Sequence, residues 1–535
     1  MKFLRCSAIF LLVLLFSAVI FAQAPGAGGQ TILVVPFVNQ SKAPGLEWIG
    51  DSFPELLQQR LNSPTLYVLP REDRIRAYDR LGIPINLSPS RATIYRIAEQ
   101  LDADYVVLGE YNFDGRTFTA TAQLLDMRRP HLLPSTIETG PLPGLIDVQT
   151  ALSWDLLHAL FPALATTRET YVAQSPTVRL DAFESYVRGV AAPTAQEQIR
   201  YLRDAVRLSA TYSPALLRLG KAYYQEHQYD QAISWLARVP ETDSTASEAD
   251  FYLGLAAYNQ GDFPRAESAF GRVLNRLPLS EVYNNLGVVV GHRDKRAAAE
   301  YFEKAIAADP NDPDYHFNLG VELYRRADFT GASRQLRDAL SLKPGDSEAR
   351  SVLETLGAGS GNPGSVVPAS AKVPAERIRT NYEESSFRQL TLKIDAVAEQ
   401  RLAHTDPRTH SRYHAERGRQ LLSQGFISEA EREYREAIAL NPSNAEAHAG
   451  LASALEASHD DAGARSEAQE ALRLRQYPEP LLLLARVDLR DNKTQAAAEK
   501  VDQVLRLEPS NAAAQALKRA VAAKLAQEAQ PLPKL

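Results

Sequence analysis

The chain has 535 residues, 45% of them hydrophobic and 23% charged, the composition of a globular protein long enough for roughly two to four domains. With 59 basic against 65 acidic side chains, it has no chain-wide attraction for a phosphate backbone or an anionic bilayer, which argues against nucleic acid as a partner. Its one cysteine, Cys6, lies ahead of a leader-like apolar run, so disulfides, thiolate metal sites and a cysteine nucleophile are excluded from the mature chain expected here.

In chain order, Lys2 and Arg5 precede the apolar run Ala8 to Ala22, and Ala22-Gln23-Ala24 offers small residues for cleavage. Residues 1–22 are therefore expected to be a signal peptide, with an uncleaved anchor as the alternative. A lipoprotein signal would place its cysteine after the run, so Cys6 is not expected to carry a lipid. The expected location is the periplasm or the exterior, with membrane association only through partners or an uncleaved signal.

Residues 31–162 read as a small α/β domain with a mixed sheet. Thr31 to Val38 is a β-branched apolar run, and Ser52 to Leu61 has helical spacing. Tyr67 to Leu69 is a short strand, Arg91 to Leu101 an amphipathic helix, and Tyr105 to Tyr111 a second apolar strand. Across an Asp114-Gly115 turn, Thr117 to Leu125 alternates, with Phe118, Ala120, Ala122 and Leu124 on one face. Gly109 and Gly115 lack phosphate-cradle spacing and read as packing and turn glycines. Asp102 and Asp104 read as loop carboxylates rather than a catalytic pair.

Two stretches, ILVVPFVNQS and AEQLDADYVVLGEYNFDGRTFTATAQLLD, resemble the small exported domain at the front of TolB-like, FlgO-like and CsgG-like bacterial envelope proteins. The resemblance covers residues 31 to 135. It implies an interaction or assembly domain in the cell envelope, and no catalysis.

From Asp181 the pattern is helical and self-similar. Leu219-Gly220, Leu253-Gly254, Leu286-Gly287 and Leu319-Gly320 recur every 33 or 34 residues. About twelve positions after each glycine stands Ala232, Ala266, Ala298 or Ala332, and four later Leu236, Phe270, Phe302 or Leu336. Pro278, Pro310 and Pro344 close three units. Small residues let two antiparallel helices approach, a large one fills the space, and proline stops the second helix. The pattern matches the tetratricopeptide repeat and implies an all-α superhelix in two arrays.

The first array, 181–356, is expected to hold five repeats, the first of them degenerate, and a cap helix at Ser347 to Leu356. Residues 357–374 are rich in Gly, Ser and Pro and read as a flexible linker. A connecting helix is expected over 375–405, and a second array of three repeats with a cap helix over 411–530. That array shows Gly418, Ala430, Tyr434, Ala437 and Pro442, then Ala452 with Ala464 and Ala468, then Ala485 with Ala497 and Val501. Alanine replaces the glycine in the last two units.

Stacked helix pairs form a concave groove that holds an extended peptide or a partner helix. The resemblance implies that the second, fifth, sixth, ninth, twelfth and thirteenth positions of each unit face it. Asn285 and Asn318 take the sixth position, where an amide can grip a peptide backbone from both sides; Arg218, Tyr252 and Glu416 take it elsewhere. Asn284, Lys221 and the twelfth-position Tyr224, Tyr258 and Tyr324 complete the candidate peptide-binding set. Those tyrosines could equally pack between repeats. Nothing in the sequence implies a cofactor or a metal: His404, Asp406, His410 and His414 cluster, but as a loop and cap entering a repeat. Catalytic and nucleotide motifs are absent from the sequence. The expected function is a non-enzymatic scaffold binding proteins or peptides in the envelope, with a ligand-binding or enzymatic head, recruited to targets by the repeats, as the alternative.

Overall fold

The computed structural model describes residues 29–85, 89–162, 167–359, 375–402, 405–423, 426–458 and 460–528. The expected signal peptide with Cys6, His404 and most of the expected linker lie outside them.

The amino-terminal domain is built on β1 (Gln30–Val34), β2 (Val38–Asn39), β3 (Leu66–Val68), β4 (Tyr105–Phe113), β5 (Phe118–Asp126), β6 (His131–Leu132) and β7 (Thr136–Gly140). The strand order is β3-β1-β4-β5-β6, with β2 also on β4 and β7 on β5. β1 is parallel to β3 and β4, and its buried run gives it the apolar faces that a central parallel strand requires. β4 and β5 form an antiparallel hairpin, and Phe118, Ala120, Ala122 and Leu124 of β5 all point into one core.

Helices α1 (Trp48–Leu61) and α4 (Leu145–Leu160) cover that face, while α2 (Arg71–Leu81) and α3 (Arg91–Gln100) cover the other. The strand expected over Thr31 to Val38 divides: β1 ends at Val34, ahead of Pro36, which has no ladder donor, and β2 pairs separately with β4. Helices α2 and α4 and strand β7 were not expected. Asp104 accepts hydrogen bonds from the Thr31 backbone N–H at 2.8 Å and its hydroxyl at 3.1 Å, so it fastens the start of β1. A Cβ on Gly109 would lie 2.2 Å from the Phe37 ring, a close-packing role.

After α5 (Arg168–Gln174) the chain is helical. The first array pairs α6 (Leu180–Ala191) with α7 (Ala195–Leu208), α8 (Ser213–Gln225) with α9 (Tyr229–Leu236), and α10 (Ala246–Asn259) with α11 (Phe263–Arg276). It continues with α12 (Ser280–Gly291) on α13 (Lys295–Ala308) and α14 (Pro313–Arg325) on α15 (Phe329–Leu342), ending in α16 (Ser347–Gly359). Beyond α17 (Glu384–Leu402), the second array pairs α18 (Pro407–Ser423) with α19 (Ile427–Leu440) and α20 (Ala445–Ala457) with α21 (Asp461–Leu474). Its last pair is α22 (Pro478–Arg490) with α23 (Thr494–Leu507), followed by α24 (Ala512–Glu528). Among the described residues no helix is long and apolar enough to cross a membrane.

The repeat glycines mark where paired helices meet. A Cβ on Gly220, Gly254, Gly287 or Gly320 would fall 2.4 to 2.9 Å from Leu236, Phe270, Phe302 or Leu336 respectively. Tyr434 faces Gly418 in the same way, at 3.0 Å. Where alanine replaces glycine, the facing residue is smaller: Ala452 shares a core with Ala468, and Ala485 with Val501.

The connecting helix begins at Glu384, not at residue 375. Residues 375–383 form neither helix nor strand, and the first array holds their backbone, as described next. α17 then leaves the array for the head. Its Leu392 enters the core beneath α2 and α3, Arg388 reaches the Ser63 carbonyl, and Lys393 pairs with Asp102. Leu390, Ile394 and Val397 on the same helix stay exposed.

Candidate peptide-binding groove

The inner wall of the first array is made by α8, α10, α12 and α14. Four repeats present their fifth- and sixth-position side chains along it, and residues 376–383 lie against them in the opposite direction to the repeat order. Three asparagines grip this strap by its main chain. Asn285 donates to the Arg379 carbonyl at 2.8 Å and accepts the Arg379 N–H at 2.7 Å. Asn318 does the same for Arg377, at 2.8 and 2.7 Å. Asn284 adds a donor to the Arg377 carbonyl at 2.9 Å, and its own side-chain oxygen accepts from the Asn318 amide at 2.7 Å. All three amides are fully buried beneath the strap, so every donor and acceptor they spend here replaces water. At the far end Glu281 accepts the Glu383 N–H at 2.8 Å.

Alternate residues of an extended chain face the same way, and the strap uses this. Arg377 and Arg379 both reach a carboxylate wall. Arg377 bonds Asp314 at 2.8 Å, Asp346 at 2.6 Å and Glu348 at 2.8 Å, and its guanidinium lies 3.6 Å from the Phe317 ring centre. Arg379 bonds Asp312 and Asp314, each at 2.9 Å, and lies near the Tyr315 ring. Ile378 and Tyr382 pack on the apolar core, with Tyr382 5.3 Å from the Phe251 ring, and Glu376 pairs with Arg325.

Electrostatics follow this wiring. Hydrogen bonding from Arg377 holds the Asp346 carboxyl down at about 2, against the pull of burial. Among the described residues Glu281 has no cation in hydrogen-bonding contact, and burial pushes its carboxyl up to about 7. Burial likewise raises Asp312, with Arg379 opposing it.

The head fills the other end of the groove. Arg218, the sixth-position counterpart of Asn285, pairs with Glu72 of α2, and Lys221 bridges Glu72 and Glu248 while lying 4.8 Å from the Tyr252 ring. Helix α1 docks alongside: the Tyr186 hydroxyl donates to Glu55 at 2.7 Å, Gln59 to Tyr212 at 3.2 Å, and Leu56 joins the array's core.

The seven candidate residues therefore divide. Asn284, Asn285 and Asn318 hold the strap, and Lys221 holds the head. Tyr224, Tyr258 and Tyr324 pack at the turn inside each repeat, their rings 5.8, 6.0 and 5.8 Å from Tyr229, Phe263 and Phe329. Sequence reading missed the acidic wall of Glu281, Asp312, Asp314, Asp346 and Glu348. These acids open inner helices or their turns, where they resemble ordinary first-turn acids; the available signal was that Glu281, Asp314 and Glu348 share the second position, and Asp312 and Asp346 the residue just before the first.

The histidine cluster resolves into a repeated staple. His414 bonds Glu433 at 2.7 Å and His410 at 3.1 Å. Fourth-position His448 likewise bonds Glu467 at 2.6 Å and the Pro442 carbonyl at 3.1 Å, and His316 bonds Gln335 at 2.8 Å and the Pro310 carbonyl at 3.0 Å. In each, one ring nitrogen binds a polar side chain 19 residues onward, tying the first helix of the repeat to the second. Asp406 caps α18 through the Thr409 N–H. No group of three metal-ligating side chains is present among the described residues.

Elsewhere in the head a cleft of about 760 Å³ lies outside the carboxyl ends of β1 and β4, with Asp51, Arg71, Arg74 and Glu110 on its walls.

Comparison with known proteins bears on the helical part. Tetratricopeptide repeat family models match residues 194–251, 252–313, 288–347 and 418–458. No curated protein matches the chain. Similar solved structures include MamA from Desulfovibrio magneticus, 20% identical over 32% of this chain and 99% of that one with a TM-score of 0.30. YrrB, described as a TPR protein with an unusual peptide-binding site, is 16% identical over 32% of this chain and 92% of that one, with a TM-score of 0.30. The LpoB C-terminal domain from Salmonella enterica is 16% identical over 21% of this chain and 84% of that one, with a TM-score of 0.19. Residues 194–347 and 418–458 are tetratricopeptide repeats.

Proposed function

We propose that the protein is an exported, non-enzymatic scaffold of the bacterial cell envelope that binds segments of other proteins in its repeat grooves. The observation that carries this reading is the two-sided amide grip of Asn285 and Asn318 on Arg379 and Arg377. It is chemistry for holding an extended backbone, whatever its side chains. The leader-like start and the resemblance of residues 31–135 to envelope proteins support the location, and a role in assembling an envelope complex fits both. Cell fractionation should place the chain in the periplasm or medium. Crosslinking followed by affinity purification of the tagged chain should recover a reproducible set of proteins. Recovery of none, by the wild type and by an Arg377→Ala/Arg379→Ala variant alike, would overturn the scaffold reading.

A second reading rests on the cleft outside β1 and β4, the place where open α/β sheets bind small ligands. A thermal shift of the wild-type chain with a nucleotide, sugar or metal, lost on Arg71→Ala, would establish the head as a ligand-binding domain.

A further inference from the structure

The groove of the first array is filled by its own chain, and the way it is filled describes the partner it accepts. We propose that residues 376–383 are an internal ligand, and that the groove takes in exchange a basic, extended segment of another protein with arginines at alternate positions. This rests on the scaffold reading above.

Three observations lead to it. First, the main-chain grip of Asn284, Asn285 and Asn318 reads no sequence, so any extended segment satisfies it. Second, side-chain selection comes from the acidic wall. Asp312, Asp314, Asp346 and Glu348 face two arginines spaced two residues apart, and Phe317 supplies an aromatic face to the first. The side chain of Asp346 is only 3% exposed and that of Asp312 10%. An empty groove would let water reach these carboxylates but leave like charges facing one another without their cations, which disfavours the ionised wall. The strap is therefore exchanged for another cation-bearing chain rather than simply released, and an acidic or neutral peptide is rejected. Third, what holds the strap in the groove is its main chain, two arginines, the pair of Glu376 with Arg325 and the apolar contacts of Ile378 and Tyr382. A competing segment can supply each of these.

Residues 360–374 tether the strap to α16. A tether of this length sets an effective concentration on the order of 1 mM. Against an intrinsic Kd of about 10 μM, the internal segment would weaken a competing peptide roughly 100-fold. The partner overcomes this by matching the groove beyond the strap's own length or by arriving at high local concentration.

The test uses the full chain and a fluorescein-labelled peptide with the sequence of residues 375–384. The Arg377→Ala/Arg379→Ala chain should bind it one to one, and the wild type roughly 100-fold more weakly. Adding Asn285→Ala/Asn318→Ala should abolish binding, and a peptide with both arginines replaced by alanine should not bind. Equal affinity for wild type and variant, or no binding by a variant with wild-type circular dichroism, would overturn the proposal and make the strap a fixed strut. If the variant does not fold, hydrogen exchange on the wild type decides. Excess probe should strip protection from the Arg377 and Arg379 amides while the alanine peptide does not; unchanged protection overturns the proposal. Recovery of envelope partners by a chain that fails these peptide tests would leave the scaffold reading standing and remove this one.

Discussion

Two kinds of residue at neighbouring positions do separate work in the inner helices. Glycine at the eighth position is required by contact: with a Cβ on Gly287 the Phe302 ring would be 2.5 Å away. Gly287→Ala should therefore destabilise the chain by about 1–3 kcal/mol through overpacking, measured by urea unfolding. Ala452→Gly, facing the small Ala468, should cost only about 0.5–1 kcal/mol through helix propensity. At the second position of the same helix, and also buried, Glu281 predicts a pH effect. Its folded carboxyl titrates at about 7 against an ordinary 4.5, so between those values the folded state binds more protons. Its contribution is thus most favourable below pH 4.5, declines as pH rises to about 7 and is flat beyond, by at most about 3 kcal/mol. Glu281→Gln should remove that decline, raising thermal stability at pH 8 relative to wild type while changing it little at pH 4.5.

Among the elements, legibility followed local signal. The helix pairs were readable because small and large residues recur at fixed spacing, and Asn285 and Asn318 were readable as groove-facing from that frame. Their occupant was not. AERIRTNYE has ordinary helical composition, and it is extended only because partners 59 to 102 residues away fix its backbone. Helix α2 was missed for a related reason: Asp73 and Arg74 are among its buried residues, and Glu72 meets the array, so its buried face lacks the apolar period that marks a helix. The strap also carries an acid-limb prediction. Asp346 is held at about 2 by Arg377, below its ordinary 3.8, so the stability this pair contributes is present above about pH 3.8 and is lost as pH falls towards 2. Arg377→Ala should flatten this limb, followed by the exchange rate of the Arg379 amide across pH 2 to 5.

At the scale of the whole molecule, the first array is the hub to which the other parts attach. The head docks through Glu55, Gln59 and Glu72, and the strap runs the rest of the groove. α17 returns to the head, while Asp395 on it pairs with Arg417 of the second array at 3.2 Å and Arg432 lies 4.6 Å from the head's Phe161 ring. Arg218→Ala would leave Glu72, whose side chain is 39% exposed, with only the more distant Lys221, so the expected loss is modest, about 1–2 kcal/mol. It should appear as loosening of the head, seen as an increased radius of gyration in small-angle scattering with unchanged helix content. Unchanged dimensions would show that the α1 contacts hold the head without that pair.

The direction of the strap has a consequence in time. A chain is made from its amino end, at roughly 5–20 residues per second. The groove's last wall residue, Glu348, therefore precedes the strap's first groove contact, Glu376, by 28 residues. For a few seconds of each synthesis the groove's residues have all been made ahead of its internal occupant. A basic partner present at that moment would meet no competitor, so the order in which the chain appears favours assembly with new copies over capture by old ones.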